Sequence, residues 1–176
     1  MPITPPPNSP TCNLQLPAEE QIVSAYSGMR AKARGLSIAS DIGFRMPSVW
    51  FAEGHSAAAP VYLYRFDSST PMLRLLRIGG AHATELPYVW GNLAKESILF
   101  RFGGLKTARA VSERMRARWL NFATQAKPIG PPGEPQWLPY RLTDRTCLII
   151  DKQDTIAHDI DAHIRAAWGS EVLHFR

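Results

Sequence analysis

Between Pro60 and Gly91 the chain passes from a run suited to a buried strand to a histidine on a glycine-rich turn. No other stretch limits the fold as much. Val61–Phe66 is six residues of β-branched and aromatic character, which predicts a strand. Polar and loop residues follow, then Gly79-Gly80-Ala81-His82. From His82 onward the spacing of Leu86, Val89 and Trp90 predicts a short helical segment. A histidine on a loop after a buried strand stands where an α/β enzyme keeps a general base. His82 is therefore the candidate catalytic residue.

The remaining elements are expected to frame that passage. Residues 1–16 are rich in Pro, Asn, Ser and Thr and lack any period, so they read as a leader or loop, with residues 17–176 forming the folded portion. Pro17 followed by Glu19 and Glu20 predicts a helix start, with Ile22, Tyr26, Met29 and Ala33 on one stripe and Gly35 as the stop. A second helix is expected from about Asp41 to Ala58, ended early or kinked at Pro47. Its apolar content (Ile42, Phe44, Met46, Val49, Trp50, Phe51) predicts broad burial, and its His55 reads as a surface or satisfied histidine. The clearest helix runs from about Leu105 to Ala126, where Leu105, Ala108, Val111, Met115, Trp119, Phe122 and Ala126 repeat at three or four residues. Lys106, Arg109, Arg114, Arg116 and Arg118 are expected to take up its remaining surface.

Thr146–Asp151 predicts a short apolar strand, with a third near Leu138–Leu142, and Asp159 to Trp168 a last helix stopped by Gly169. Helices alternating with two or three short strands give an α/β class with an incomplete sheet. So few strands cannot cover four helices, which points to part of a larger α/β domain.

Composition narrows the function classes. Charged residues are 20% of the 176-residue chain and apolar residues 45%, ordinary for a protein with a buried core. The net charge of +5 invites a nucleic-acid reading, but the basic residues between Arg65 and Arg118 are interleaved with apolar ones, as on outer helix faces. No nucleic-acid partner is expected. Cys147 lies in an apolar run and reads as a buried thiol, while Cys12 sits in the Pro-rich leader; two cysteines without histidine spacing make no zinc site. No apolar run spans a bilayer and no secretory signal is visible at Met1, so the expectation is a cytoplasmic protein without cofactor or metal.

Four motifs in order then resemble one family. Ser40-Asp41-Ile-Gly-Phe44-Arg-Met-Pro47 matches a Ser-Asp, Phe, Pro spacing on a helix. Val61-Tyr62-Leu-Tyr64-Arg-Phe66 matches a strand of the form Val-Tyr-x-Tyr-x-Phe. Gly79-Gly-Ala-His82-Ala-Thr-Glu85-Leu86-Pro87-Tyr-Val89-Trp90-Gly91 matches a Gly-x-x-His-x-x-Glu-Leu-Pro-x-Val-Phe-Gly block, with Trp90 in place of Phe. Trp119-Leu-Asn-Phe122-Ala123 matches a Trp-x-x-Phe-Ala element, and Trp137 with Pro139 and Tyr140 follows at a fitting distance. Together these motifs resemble the C-terminal part of the type-B carboxylesterases, the α/β-hydrolase family that includes bacterial para-nitrobenzyl esterases and the cholinesterases.

The resemblance implies the C-terminal part of an α/β-hydrolase fold, a carboxylic ester as substrate, and His82 as the triad histidine. It also implies structural roles for Asp41 and Glu85. In such hydrolases the order is serine, acid, histidine, with the serine in Gly-x-Ser-x-Gly. That pentapeptide is absent from the chain, as is a Gly-rich oxyanion loop, and the acid is expected further upstream than Met1. The expectation is one member of a triad, completed by an N-terminal half with which the chain would associate, and little or no activity alone. The alternative is a non-enzymatic remnant or interaction module.

Overall fold

The computed structural model describes residues 19–77, 80 and 82–169. The Pro-rich leader with Cys12, and Gly79 and Ala81 of the histidine turn, lie outside the described residues. The chain divides into two compact units, one of residues up to Phe51 together with those from Asp161, the other from Ala52 to Ile160.

In the first unit, α1 (Glu19–Ala25) ends well before Gly35, and α2 (Ala31–Ser40) runs straight through that glycine. The stop is instead at Gly28, whose φ of +86° is the left-handed conformation a glycine adopts without a Cβ penalty. Gly35 needs no such conformation and simply sits in the helix. A wide π-helical turn, Asp41–Arg45, leads into α3 (Met46–His55). Pro47 does not end α3. Its nitrogen has no hydrogen to give to the carbonyl four residues back, so the ladder skips a residue: the Met46 N–H donates to the Asp41 carbonyl, five residues away. The Ser48 hydroxyl then takes up the Phe44 carbonyl at 2.8 Å. This widening also limits burial. Met46 and Trp50 join Tyr26, Ile164 and Trp168 in the core, but Ile42, Phe44 and Phe51 remain about half exposed, contrary to the broad burial expected.

The last helix, α7 (Ala162–Trp168), stops at Gly169 as predicted and starts three residues later. It is held to α1 by polar bonds inside the core. The Trp168 indole donates to the Tyr26 hydroxyl at 2.8 Å, and that hydroxyl donates to the Asp41 carboxylate at 2.5 Å. Burial, and then the bond to Asp41, push the Tyr26 phenol up to about 12. Asp41 thus has a structural role. Arg45 reaches both Asp41, at 3.7 Å, and Asp161, at 2.9 Å.

The second unit is built on a three-stranded sheet in the order β1 (Leu63–Phe66), β2 (Thr146–Ile150), β3 (Thr155–His158). β1 and β2 are parallel, with Leu63 opposite Cys147 and Phe66 opposite Ile150. β2 and β3 form an antiparallel hairpin. The segment near Leu138–Leu142 is not a strand; its one backbone tie to β1's approach is the Tyr140 N–H on the Val61 carbonyl at 2.7 Å. The third strand is Thr155–His158, too short and mixed in character to read as one. β2 is buried nearly throughout, including Cys147, as befits a strand paired on both edges.

Helix α6 (Leu105–Gln125) covers one face of the sheet with Ala108, Val111 and Met115, against Leu148, Ile150 and Trp137. Its arginines do not all face water. Arg118 is 0% exposed and pairs with the equally buried Asp154 carboxylate at 2.6 Å; Arg114 reaches the same carboxylate at 3.1 Å and the Asp151 carbonyl at 2.6 Å. Position 118 falls seven residues after Val111, on the buried stripe, so a cation there must be paired. No helix among the described residues is long and apolar enough to cross a membrane.

Candidate active site

The turn bearing His82 is set by what flanks it. At the C-terminal end of β1 the Asp67 and Ser68 N–H groups both bond to the Ile150 carbonyl, at 2.9 and 3.1 Å. Thr70 then caps a short helix, α4 (Pro71–Leu75): Pro71 supplies the first turn and the Thr70 hydroxyl accepts the Leu73 N–H at 3.2 Å. The polar loop read from the sequence is therefore partly helical. Gly80 brings the chain back against the strand so closely that a Cβ there would lie 2.4 Å from the Phe66 carbonyl oxygen.

His82 follows on an exposed turn. Ala83 has a φ of +64°, a conformation that costs a non-glycine residue energy and turns the chain sharply. The Ala83 carbonyl accepts the Leu86 N–H at 3.3 Å, which starts α5 (Leu86–Trp90).

Helix α5 is fixed on two sides. The Ser112 hydroxyl of α6 donates to the Tyr88 carbonyl at 2.6 Å, and the Tyr88 ring meets Phe66 of β1 edge-on, centroids 5.0 Å apart. Gly91 ends the helix at φ +73°, where a Cβ would lie 3.1 Å from the Arg116 guanidinium. So the strand before His82 and the helix after it share one core, and the histidine rides between them on the surface. Glu85 caps α5 through its backbone, its carbonyl accepting the Tyr88 and Val89 N–H groups at 2.9 and 3.1 Å. Burial raises the Tyr64 phenol above its ordinary value, and the nearby Glu85 carboxylate adds to that rise.

An imidazole held this way can accept a proton from a hydroxyl presented to it and return one to a leaving group. The sequence signals that led to His82 were the preceding strand and the glycines. The buried Arg118 and Asp154, with the partly buried Arg114 beside them, were missed, although the helical period alone places position 118 inward. A surface cavity of about 670 Å³ lies elsewhere, beside Lys106, Thr107, Asp151, Lys152 and Thr155, and His82 does not line it. Among the described residues no group of three or more His, Cys, Asp or Glu could hold a metal ion.

Known proteins are similar to this chain over most of its length. The profile of the Carboxylesterase family matches residues 19–168. Para-nitrobenzyl esterase of Bacillus subtilis (strain 168) is 28% identical over 152 residues, which are 85% of this chain and 29% of that protein. Carboxylesterase 5A of Felis catus is 29% identical over 143 residues, 78% of this chain and 26% of the cat protein. Among solved structures, a PNB esterase superposes with a TM-score of 0.69 at 25% identity, covering 85% of this chain and 29% of that one. A carboxylesterase of Geobacillus stearothermophilus gives a TM-score of 0.72 at 26% identity, covering 85% and 32%. The chain thus spans less than a third of the length of these relatives, and the fold it shares with them is that of the α/β-hydrolase esterases.

Proposed function

The chain belongs to the carboxylesterase family, and on that premise we propose that it is the C-terminal portion of a carboxylic-ester hydrolase with His82 as its general base. One observation carries the reading. Within the matched residues, His82 stands on an exposed turn between α4, which follows the family-like strand β1, and the family-like helix α5. In the reaction, His82 takes the proton from a serine hydroxyl as its oxygen attacks the ester carbonyl. It gives that proton to the departing alcohol, then activates the water that releases the acid. The serine, its acid partner and the oxyanion donors come from the hydrolase portion this chain does not span, because no Gly-x-Ser-x-Gly occurs in its 176 residues.

Two measurements test this. Alone, the chain is expected to give little or no hydrolysis of a nitrophenyl ester; clear turnover that disappears in His82→Ala would overturn the inactivity. Exchanged for the matched region of the Bacillus subtilis esterase, residues 19–168 are expected to support hydrolysis that falls by about 10⁴-fold in His82→Ala. Equal rates with and without the imidazole would remove His82 from the mechanism.

A second reading, a non-enzymatic interaction module, is favoured by the exposed Leu75, Leu76, Leu86 and Trp90 around the histidine turn. It predicts that the exchanged protein folds and is inactive.

A further inference from the structure

Helix α5 has only five residues, too few to stand on its own hydrogen bonds, so its placement is imposed from outside. Three contacts on Tyr88 impose it. The Ser112 hydroxyl of α6 donates to its carbonyl, its ring meets Phe66 edge-on, and its hydroxyl is hydrogen-bonded to that of Ser68. The third contact differs in kind. Ser68 is the second residue after β1 and Tyr88 the third of α5, so this bond joins the two ends of the passage that carries His82.

Both residues are buried, each only 4% exposed. Tyr88 sits in the core with Phe100, Val111 and Met115, where a phenylalanine ring would fill the same space. Burying a phenol and a serine hydroxyl costs free energy that their mutual bond serves to offset. What the pair adds beyond packing is alignment. A hydrogen bond has a defined length and angle, whereas the apolar contact of Tyr88 with Phe66 tolerates sliding.

Ser68 is itself fixed to the sheet. Its N–H donates at 3.1 Å to the carbonyl of Ile150, a fully buried residue of β2. From there the path runs through the two hydroxyls to α5. The first residue of that helix, Leu86, donates its N–H to the Ala83 carbonyl in the turn on which His82 stands. On its other side the turn is seated by Gly80 against the Phe66 carbonyl. His82 lies between these two anchors, and both rest on the end of β1 and the residues just after it.

We propose that Ser68 and Tyr88 are positioning residues for His82: their hydroxyls clasp the end of β1 to α5 and so fix where the imidazole stands for proton transfer. This rests on the functional reading above. The pair acts on the histidine through the backbone of α5 and its turn. A general base must lie within hydrogen-bond reach of the proton it takes, so a small displacement of the turn lowers the rate without changing the chemistry.

The test uses Tyr88→Phe, Ser68→Ala and the two together. Each single variant leaves one buried hydroxyl without its partner, whereas the double variant removes both, so its urea unfolding should return toward wild type. With residues 19–168 exchanged into the Bacillus subtilis esterase, kcat for a nitrophenyl ester should fall by about 100-fold in all three variants, with KM changed by less than about two-fold. A double variant that regains both stability and kcat overturns the proposal, because the hydroxyls then matter only to folding. Unchanged kcat in Tyr88→Phe beside a large loss in His82→Ala overturns it as well. The full chain alone gives a readout independent of hydrolysis: the Leu86 amide should exchange about 10-fold faster in the double variant than in wild type, while the amides of α6 keep their rates. An unchanged Leu86 amide overturns the clasp whatever the exchanged protein does. A faster Leu86 amide with hydrolysis indifferent to His82→Ala would remove the role given to His82, and with it the catalytic half of the proposal, while the clasp stands.

Discussion

At the scale of single residues, the decisive side chains are those whose charge or proton is held inside. Asp154 neutralises two guanidinium groups, one of them fully buried, and the Arg118 Nε has no hydrogen-bond partner even so. Asp154→Ala would leave the buried Arg118 with only the Glu134 carboxylate, at 4.0 Å, to balance its charge, and a loss of about 3–5 kcal/mol is expected in urea unfolding followed by tryptophan fluorescence. Replacing Arg118 and Asp154 together by Leu should cost much less, since the pair and its desolvation leave together. Tyr26 carries the second prediction. Its folded-state phenol titrates at about 12 against an ordinary 10, so its stabilising effect is complete below pH 10 and is lost as pH rises through 12. Thermal melting between pH 9 and 12 should show this loss, and Tyr26→Phe should flatten it in part, because Tyr64 and Tyr88 are also raised by burial. The turn that carries His82 was legible from its surroundings: an apolar run before, glycines beside, a helix start after. Arg118 was not legible, because a charged residue among four other basic ones reads as solvated unless the helical phase is given more weight than the charge.

At the scale of elements, regular pieces were legible and interruptions were not. Helix α6 and strand β2 match their expected bounds within one residue, since each is a long or wholly apolar period. Around Pro47 the expectation was an early end or a kink, and the structure has a wide turn there with the helix continuing past it. Local sequence does not separate the two outcomes; the difference lies in Met46 and Trp50, whose burial with Tyr26 and Trp168 holds the helix together on both sides of the proline. This has a testable consequence. The wide turn is one residue more than a regular helix needs, and nothing lies within 4 Å of where a Gly43 side chain would begin. Deleting Gly43 alone should destabilise the first unit, because Pro47 then meets a regular ladder. Adding Pro47→Ala to the deletion should restore about 3 kcal/mol, read by circular dichroism melting. The strand Thr155–His158 escaped notice for a related reason: four residues of mixed polarity become a strand only because β2 lies beside them.

At the scale of the molecule, the α/β class and the shortage of strands were legible, and the partition into two units was not. The first unit draws on residues near both ends of the described chain, and no local period links Tyr26 to Trp168. Ending the chain at Ile160 would remove Ile164 and Trp168 from that unit's core. Amide exchange should then rise throughout α1 and α2 while α6, β2 and β3 keep their protection. Retained protection in α1 and α2 would show that the helices there need no partner.

The bond from Trp168 to Tyr26 closes a separation of 142 residues, and this sets an order of events during synthesis. Among the described elements α1, α2 and α3 leave the ribosome before the sheet, yet their core cannot close until α7 has left the exit tunnel. The sheet and α6 need only residues up to His158, so they can close earlier. Of the two units, the one whose helices emerge earlier closes later, with Tyr26 and Trp50 uncovered until Trp168 arrives.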